Sequence, residues 1–190
     1  MQIKTVVVGP LGTNCYIVSG DAGGEAFVID PGEDALDIID ALDEDNLDVA
    51  AIVLTHGHFD HIQAAGDLKK AKGGDIYAHP ADAVPGTDEP LIDGQMLTAG
   101  EVTLTVISTP GHSRGSCSLV GEGAVFCGDL LFRDSVGRTD FAGGSMPELL
   151  KSLERLKELP DETVVFPGHG PETTIGREKM MNPFMSMGGR

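Results

Sequence analysis

The sequence predicts an α/β fold in which β-sheets are covered by helices. Short apolar runs of strand length recur along the chain, and they are of two kinds: VTLTVIST alternates between apolar and polar residues, whereas AAIVLT is continuously apolar. Half-buried and fully buried strands are therefore both expected, with helix-periodic segments between them. Because 190 residues with 41% hydrophobic content suffice for one buried core, we predict a single domain over residues 1–190.

The first third of the chain is predicted to be mainly β-structure. VVVG, NCYIVSG and EAFVIDPG are strand-like runs separated by glycine-rich turns, and SGDAGGE is typical of a hairpin connection. EDALDIIDAL then predicts a helix, because Ala35, Ile38, Ile39 and Leu42 follow helical spacing and acidic residues occupy the first turn. The AAIVLT run that follows predicts a strand buried on both faces.

The rest of the chain alternates between helix-like and strand-like segments. IQAAGDLKKAK predicts a helix, DIYAH a short strand, and residues 80–94 a loop rich in proline and aspartate. VTLTVIST, AVFC and ETVVF predict three further strands. SMPELLKSLERLKEL predicts a helix, which begins with a capping box of Ser145 and Glu148 and has Pro147 in its first turn.

Composition argues against several classes of function. With 30 acidic and 13 basic residues the chain has a formal charge of −17, which disfavours binding to nucleic acids and anionic membranes. No apolar run approaches the length of a transmembrane helix. Cys15, Cys117 and Cys127 lack a CxxC spacing, and the first residues show no cleavable signal pattern, so we predict reduced thiols and a cytoplasmic protein. The oligomeric state is left open.

Four of the strand-like runs end in loops that contain glycine together with histidine or aspartate. HGHFDH follows AAIVLT, PGH follows VTLTVIST, GD follows AVFC, and a second PGH follows ETVVF. If these strands lie side by side, the loops converge at one edge of a sheet, where functional residues are often found. The residues collected in this way are five histidines and two aspartates: His56, His58, Asp60, His61, His112, Asp129 and His169.

These residue types predict a metal centre. Imidazole and carboxylate without thiolate suit zinc, iron or manganese. Seven ligands are too many for one tetrahedral ion but suit two ions that share a bridging carboxylate, so two divalent metal ions are expected, with zinc favoured over iron or manganese. A lone histidine in a loop, such as His79 in IYAHP, is interpreted as structural. The His-x-His-x-Asp-His string is far more specific.

This pattern resembles the metallo-β-lactamase superfamily, whose hallmark is His-x-His-x-Asp-His followed by a distant His, Asp and His. The resemblance covers nearly the whole chain and implies an αββα sandwich of two mixed β-sheets flanked by helices, with the site at one edge. It also implies that Asp129 bridges two metals. The first metal would be held by His56, His58 and His112, and the second by Asp60, His61 and His169.

Within that superfamily the chain resembles the glyoxalase II branch. FCGDLLFRDSVGRTDFAGGS carries the likeness, and PGHGPETTIGREKMMNPF is similar to the shorter prokaryotic members. The resemblance implies a hydroxyacylglutathione hydrolase, which cleaves a 2-hydroxyacyl thioester such as S-lactoylglutathione. Arg138 matches a basic residue that contacts glutathione in that branch, whereas Asp140 stands about where a tyrosine is expected. Arg177 and Lys179 are further basic candidates.

Several roles remain open from sequence. Asp60 or Asp129 would orient the attacking water at the metals. Cys127 lies in the apolar run AVFC, and burial is the better interpretation than a nucleophilic role. One alternative is a persulfide dioxygenase on the same scaffold, with a single iron held by residues that match His56, His112 and Asp129. A non-catalytic metal-binding protein is the other.

Overall fold

The computed structural model, which describes residues 1–186, contains two six-stranded β-sheets packed face to face with helices on both outer surfaces. The predicted αββα sandwich is therefore confirmed. The strands of the first sheet follow chain order and begin with an antiparallel meander, after which the pairing becomes parallel. They are β1 (Gln2–Val8), β2 (Thr13–Ser19), β3 (Gly24–Ile29), β4 (Leu47–Val53), β5 (Asp75–Ala78) and β6 (Glu89–Pro90).

The second sheet is also mixed, with one parallel pair among antiparallel neighbours. Its spatial order is β14-β13-β10-β9-β8-β7, and the hairpin of β11 and β12 forms a separate two-stranded sheet. These strands are β7 (Met96–Ala99), β8 (Val102–Ser108), β9 (Cys117–Gly121), β10 (Ala124–Gly128), β11 (Leu131–Phe132), β12 (Ser135–Val136), β13 (Val164–Pro167) and β14 (Thr173–Thr174).

Of the six α-helices within residues 1–186, three lie where the periodicity predicts them, and three shorter ones were not predicted. The six helices are α1 (Ala35–Glu44), α2 (Phe59–Ile62), α3 (Ala65–Lys72), α4 (Met146–Lys157), α5 (Ile175–Met181) and α6 (Pro183–Ser186), with a 3-10 turn at Pro80–Asp82. The predicted cap of α4 is present, because the Ser145 hydroxyl accepts a hydrogen bond from the Glu148 amide at 3.4 Å. No helix within residues 1–186 is long and apolar enough to cross a membrane.

Three apolar layers hold the sandwich together. On the outer face of the first sheet, Ile38 and Leu68 of α1 and α3 join a buried cluster with Ile17. Between the sheets, a second cluster includes Val18 and Phe126, and over the second sheet a third contains the buried leucines of α4. Alternate residues of β2 enter the first and second clusters, since successive strand side chains point to opposite faces.

The strands that carry the polar loops differ from the sequence expectation in one respect. They do not lie side by side in one sheet: β4 belongs to the first sheet, and β9 separates β8 from β10 in the second. Six short strands within residues 1–186 were not predicted from the sequence: β6, which lies within the predicted loop over residues 80–94, and β7, β9, β11, β12 and β14. The loops converge because the two sheets face each other, an arrangement that local periodicity does not encode.

Candidate metal centre

All seven histidines and aspartates singled out from the sequence lie together at one edge of the sandwich. The loop after β4 leads into the single turn of α2, and it presents His56, His58, Asp60 and His61. The loops after β8, β10 and β13 present His112, Asp129 and His169 respectively. Within residues 1–186, potential ligand atoms form three groups in which they lie within 4.8 Å of one another. His56, His58 and His112 form the first triad, Asp60, His61 and His169 form the second, and Asp30 forms a further group with His56 and His61, one residue from each triad.

The rings of the first triad lie close together and are nearly perpendicular to one another. Ring centroids lie 4.7 Å apart for His56 and His58 and 4.5 Å apart for His58 and His112. Nδ1 of His58 is 2.8 Å from Nε2 of His112. His56 and His112 are buried, whereas His58 is half-buried at the mouth of the site.

Hydrogen bonds on the far side of three rings set which nitrogen faces the site. The Thr55 hydroxyl donates its proton to Asp30 at 2.6 Å, so towards Nδ1 of His56, 3.1 Å away, it can only accept. Nδ1 of His61 likewise donates to Asp30 at 2.9 Å, and Nδ1 of His112 donates to the Arg138 carbonyl at 2.7 Å. In the neutral rings, Nε2 of each is left with a lone pair that faces the centre.

The second triad is held around His169. Its Nε2 lies 3.2 Å from Oδ2 of Asp60 and 3.3 Å from Nε2 of His61. The Thr13 hydroxyl, at the start of β2, donates to the same Asp60 oxygen at 3.3 Å. The second triad is therefore positioned by both sheets, because Thr13 belongs to the first and His169 follows a strand of the second.

Asp129 lies between the two triads. Its Oδ2 is 3.5 Å from Nε2 of His112 in the first triad and 3.6 Å from Nε2 of His169 in the second. Its Oδ1 is 3.4 Å from Nε2 of His61. Gly168 permits this placement, because a Cβ at that position would collide with Oδ1 of Asp129. The Asp129 carboxylate is therefore within 3.6 Å of a histidine nitrogen in each triad.

The carboxylates around His61 favour positive charge in that part of the centre. Burial opposes protonation of His61, but Asp30 and Asp129 outweigh it and raise its pKa to about 10. Burial would raise the pKa of Asp60, yet the hydrogen bond from His169 and the nearby His61 lower it to about 2. Asp129 likewise has a lowered pKa, because His61 outweighs its burial. A field that stabilises protonated histidine also stabilises a metal cation.

The donor set fits divalent metal ions. Nε2 of His56 and Oδ1 of Asp129 are buried without a hydrogen-bond partner among residues 1–186, although buried polar atoms are nearly always satisfied. Burial, with a smaller contribution from His61, holds the pKa of His56 well below its usual range, so this ring offers a lone pair rather than a proton. Inward lone pairs from several imidazoles and a carboxylate between them are the donors that zinc, iron and manganese accept.

Three supporting residues were missed from the sequence. Asp30 follows β3 in VIDPG and accepts from the Thr55 amide and hydroxyl as well as from His61. Its signal was present, since it is another aspartate directly after a strand. Thr55, which precedes the histidine string, carried no comparable signal.

Asp82 is the third residue, and it links the loops that carry the first triad. Its carboxylate accepts hydrogen bonds from the Gly57 amide at 2.8 Å, the Ser113 hydroxyl at 2.6 Å and the Gly115 amide at 2.7 Å. Gly57 separates His56 from His58, and Ser113 follows His112. His79, interpreted as structural, caps the 3-10 turn that presents Asp82, because its Nδ1 accepts from the Ala81 amide at 3.2 Å.

A cavity of about 850 Å³ opens onto the centre. Five of the seven clustered histidines and aspartates line it. The other lining residues are mainly apolar: Leu11, Phe59, Phe132, Val136, Phe141 and Ala142. Arg138 also lines this cavity, as a substrate-binding residue would. However, its guanidinium makes two hydrogen bonds of 2.7 Å with Asp140 and lies 3.9 Å from the centroid of the Phe141 ring.

The remaining candidates have structural surroundings. Cys127 is 1% exposed, and burial raises the pKa of its thiol to about 12. This agrees with the packing interpretation. Arg177 pairs with Asp134 at 2.8 Å and with the buried Glu178, and Lys179 pairs with Asp161 at 2.6 Å. Neither of these basic residues lines the cavity over the centre.

Several solved structures are similar to this chain in both fold and sequence. BLEG-1, a B3 metallo-beta-lactamase, is 38% identical with a TM-score of 0.89, over 97% of this chain and all of that one. TTHA1623 in a di-iron-bound form is 38% identical with a TM-score of 0.87, over 95% and 99%. ETHE1 from Myxococcus xanthus is 32% identical with a TM-score of 0.90, over 96% and 84%.

Sequence relatives extend over nearly the same length. An uncharacterized protein of Aquifex aeolicus is 40% identical over 97% of both chains. The probable metallo-hydrolase YqgX of Bacillus subtilis is 36% identical over 98% of both chains. Hydroxyacylglutathione hydrolase GloC of Haemophilus influenzae is 32% identical over 98% of this chain and 99% of that one.

A family model describes the region that builds the centre. The model for the metallo-beta-lactamase superfamily matches residues 8–169, from the end of β1 to the last of the seven clustered residues. The range includes both sheets except for β14 and all but the last residue of β1, together with every loop that reaches the site. With its fold, its His/Asp cluster and this match, the chain belongs to the metallo-beta-lactamase superfamily.

Proposed function

We propose that this protein is a dinuclear-metal hydrolase that cleaves 2-hydroxyacyl thioesters such as S-lactoylglutathione. The observation that carries the proposal is the pair of triads with Asp129 in reach of both. In the reaction a water oxygen bonds to the thioester carbonyl carbon, the carbon–sulfur bond breaks, and the products are a carboxylic acid and a thiol. The similarity to GloC supports this substrate class.

The geometry supports one assignment of the residues that would hold the ions. The first triad would hold one ion, the second triad would hold the other, and Asp129 would bind both. Zinc is favoured by the donor types, and iron or manganese also suit them; the di-iron form of TTHA1623 supports iron. When bound, such ions lower the pKa of a coordinated water toward about 7 and polarise a carbonyl oxygen.

The protein's own groups would orient the reactants. Asp60 and Asp129 are ionised at neutral pH because their pKa values are lowered, so each can accept a hydrogen bond from the attacking water and aim its lone pair. Asp30 keeps His61 in the tautomer that faces the centre. The leaving thiol has an ordinary pKa near 8.5, so it departs as a thiolate without a strong general acid.

Metal analysis combined with two assays tests the proposal. The purified protein should contain two metal ions per chain and release thiol from S-lactoylglutathione or another lactoyl thioester. Chelation should abolish turnover, and added zinc, iron or manganese should restore it. A metal-loaded protein that hydrolyses no thioester would contradict the proposal.

A persulfide dioxygenase is the alternative on this scaffold. It needs one iron, held by His56, His112 and Asp129, and therefore gives no role to the second triad. Its signature would be one iron per chain and oxygen uptake with a persulfide substrate. The 38% identity to BLEG-1 makes β-lactam hydrolysis a third activity to assay on the same preparation.

A further inference from the structure

The cavity over the metal centre presents apolar side chains to solvent. Leu11, Phe59 and Phe141 line it and are 56%, 60% and 46% exposed. Large apolar side chains that share one exposed cavity usually mark a surface that binds an apolar partner or ligand. Phe141 packs edge-on against His58, with ring centroids 5.4 Å apart, so this apolar wall adjoins the first triad.

The Arg138 side chain, which lines this cavity, is already paired with the Asp140 carboxylate. Arg138 forms a two-point ion pair with Asp140, whose pKa is lowered to about 2 by the hydrogen bond from Arg138. Asp140 is therefore ionised at neutral pH, and the pair has no net charge. The Arg138 guanidinium also stacks on Phe141, which occupies one of its faces. Asp140 occupies Nε and Nη2 of the guanidinium, so a substrate carboxylate would find only the Nη1 side open and would meet the negative charge of Asp140 beside it.

We propose that the site selects uncharged, apolar thioesters, and that Asp140 is the residue that disfavours anionic thiol carriers such as glutathione. This inference rests on the proposed thioesterase function and narrows its substrate class. Asp140 acts by neutralising Arg138, so it determines specificity without touching the reacting atoms. The apolar wall would bind the apolar thiol portion of the substrate, and the metal ions would bind the acyl group.

Two lactoyl thioesters that differ in the thiol alone test the inference. S-lactoylglutathione carries net negative charge, whereas the lactoyl thioester of benzyl mercaptan is uncharged and apolar. The wild-type protein should show the larger kcat/KM for the benzyl thioester. Asp140→Asn should raise kcat/KM for S-lactoylglutathione about fivefold, the effect of one unit charge a few ångströms away near water, and leave the benzyl thioester within twofold.

Two further variants separate the local effect from a change in total charge. Asp161→Asn removes one negative charge from another exposed ion pair, that with Lys179, outside the cavity. This variant should leave kcat/KM unchanged for both substrates. Arg138→Gln in the Asp140→Asn background should abolish the gain for S-lactoylglutathione, because the freed guanidinium is then absent.

The outcomes distinguish this inference from the thioesterase proposal. If both substrates are hydrolysed but the wild type prefers S-lactoylglutathione, or Asp140→Asn leaves that substrate unchanged, the inference is wrong and the thioesterase stands. If neither is hydrolysed, the thioesterase proposal fails. Equilibrium binding of the matched thioethers, S-benzylglutathione and dibenzyl sulfide, still tests the preference, because Asp140→Asn should tighten binding of the first alone.

Discussion

At the scale of single residues, the centre depends on hydrogen bonds that fix each ring. Three of the five histidines use one nitrogen to donate to a protein oxygen and turn the other inward. Asp30 supports two of them, directly for His61 and through Thr55 for His56. A metal site built in this way is preorganised, because each side chain is oriented before an ion binds.

Replacement of Asp129 is expected to disturb metal binding more than replacement of any single histidine. Asp129→Ala should abolish activity and lose metal from both triads, because the carboxylate lies within 3.6 Å of nitrogens in each. His58→Ala should also abolish activity but lose metal from the first triad alone. Metal analysis after gel filtration, with circular dichroism as a folding control, measures this difference. Full metal content and normal rates in both variants would show that the site is assigned wrongly.

Cys127 is expected to be dispensable for chemistry. Its thiol is buried, its pKa is raised to about 12, and so almost none of it is thiolate at neutral pH. Cys127→Ser should keep thioesterase activity within a fewfold, although replacing a buried thiol with a hydroxyl costs stability. The native protein should also react slowly with a thiol reagent. A thousandfold loss of rate with both metals retained would support a nucleophilic Cys127.

At the scale of elements, strands and loops contribute differently to the centre. The strands end beside the centre and position the loops, whereas hydrogen bonds between loops fix the distance from one loop to the next. Asp82 connects the loop after β4 with the loop after β8. Gly57 and Gly115 allow this contact, because a Cβ at either position would lie within 2.9 Å of Asp82 atoms.

Asp82→Ala should loosen the first triad selectively. Loss of three hydrogen bonds lets the two loops separate, and removal of an outer-sphere partner typically weakens metal binding about 10- to 100-fold. In competition with a chelator, the variant should therefore lose the metal ion of the first triad more easily than the wild type, while the second triad should retain its metal ion. Cobalt substitution would report the same change in the visible absorption of the first site.

Asp88→Ala provides the matched control, because Asp88 lies in the same loop and accepts a hydrogen bond from the Ile76 amide of β5 at 2.8 Å, away from the centre. It should cost stability but leave both metals bound. Equal metal affinity in the Asp82→Ala variant and the wild type would show that the link has no role at the metal centre.

At the scale of the whole molecule, the centre forms where the two sheets meet. Tyr16 and Asn14 of β2 donate to the Pro167 carbonyl at 2.6 and 3.0 Å, which joins the first sheet to the loop of His169. The Cys117 amide of β9 donates to the Thr55 carbonyl at 2.8 Å. These bonds between sheets hold the edges together, so the geometry of the site depends on how the sandwich closes.

The net charge of −17 should oppose the approach of anionic substrates. Salt shortens the Debye length from about 30 Å at 0.01 M to about 10 Å at 0.1 M. We therefore expect kcat/KM for S-lactoylglutathione to rise over this range if encounter limits it, and kcat/KM for an uncharged thioester to change little. A clear fall with salt would indicate local attraction by a basic residue near the site, such as Arg114.

The sequence by itself determined the residue types of the centre and most of the fold. His-x-His-x-Asp-His is readable because its spacing is local, and strands such as β4 and β10 are readable because buried strands are continuously apolar. Helix α4 followed from its leucine spacing and its serine cap. Each of these signals lies within a window of about a dozen residues, in which periodicity directly reflects burial.

The tertiary structure alone decided how these parts combine. Gly57 and Ser113, through which Asp82 holds the two loops, are separated from it by 25 and 31 residues, and the cancellation of the Arg138 charge by Asp140 depends on side-chain orientation. The strand that separates β8 from β10 and the closure of two sheets over one edge are likewise matters of packing. Such contacts join residues distant in sequence or depend on rotamers, and neither leaves a periodic pattern in the chain.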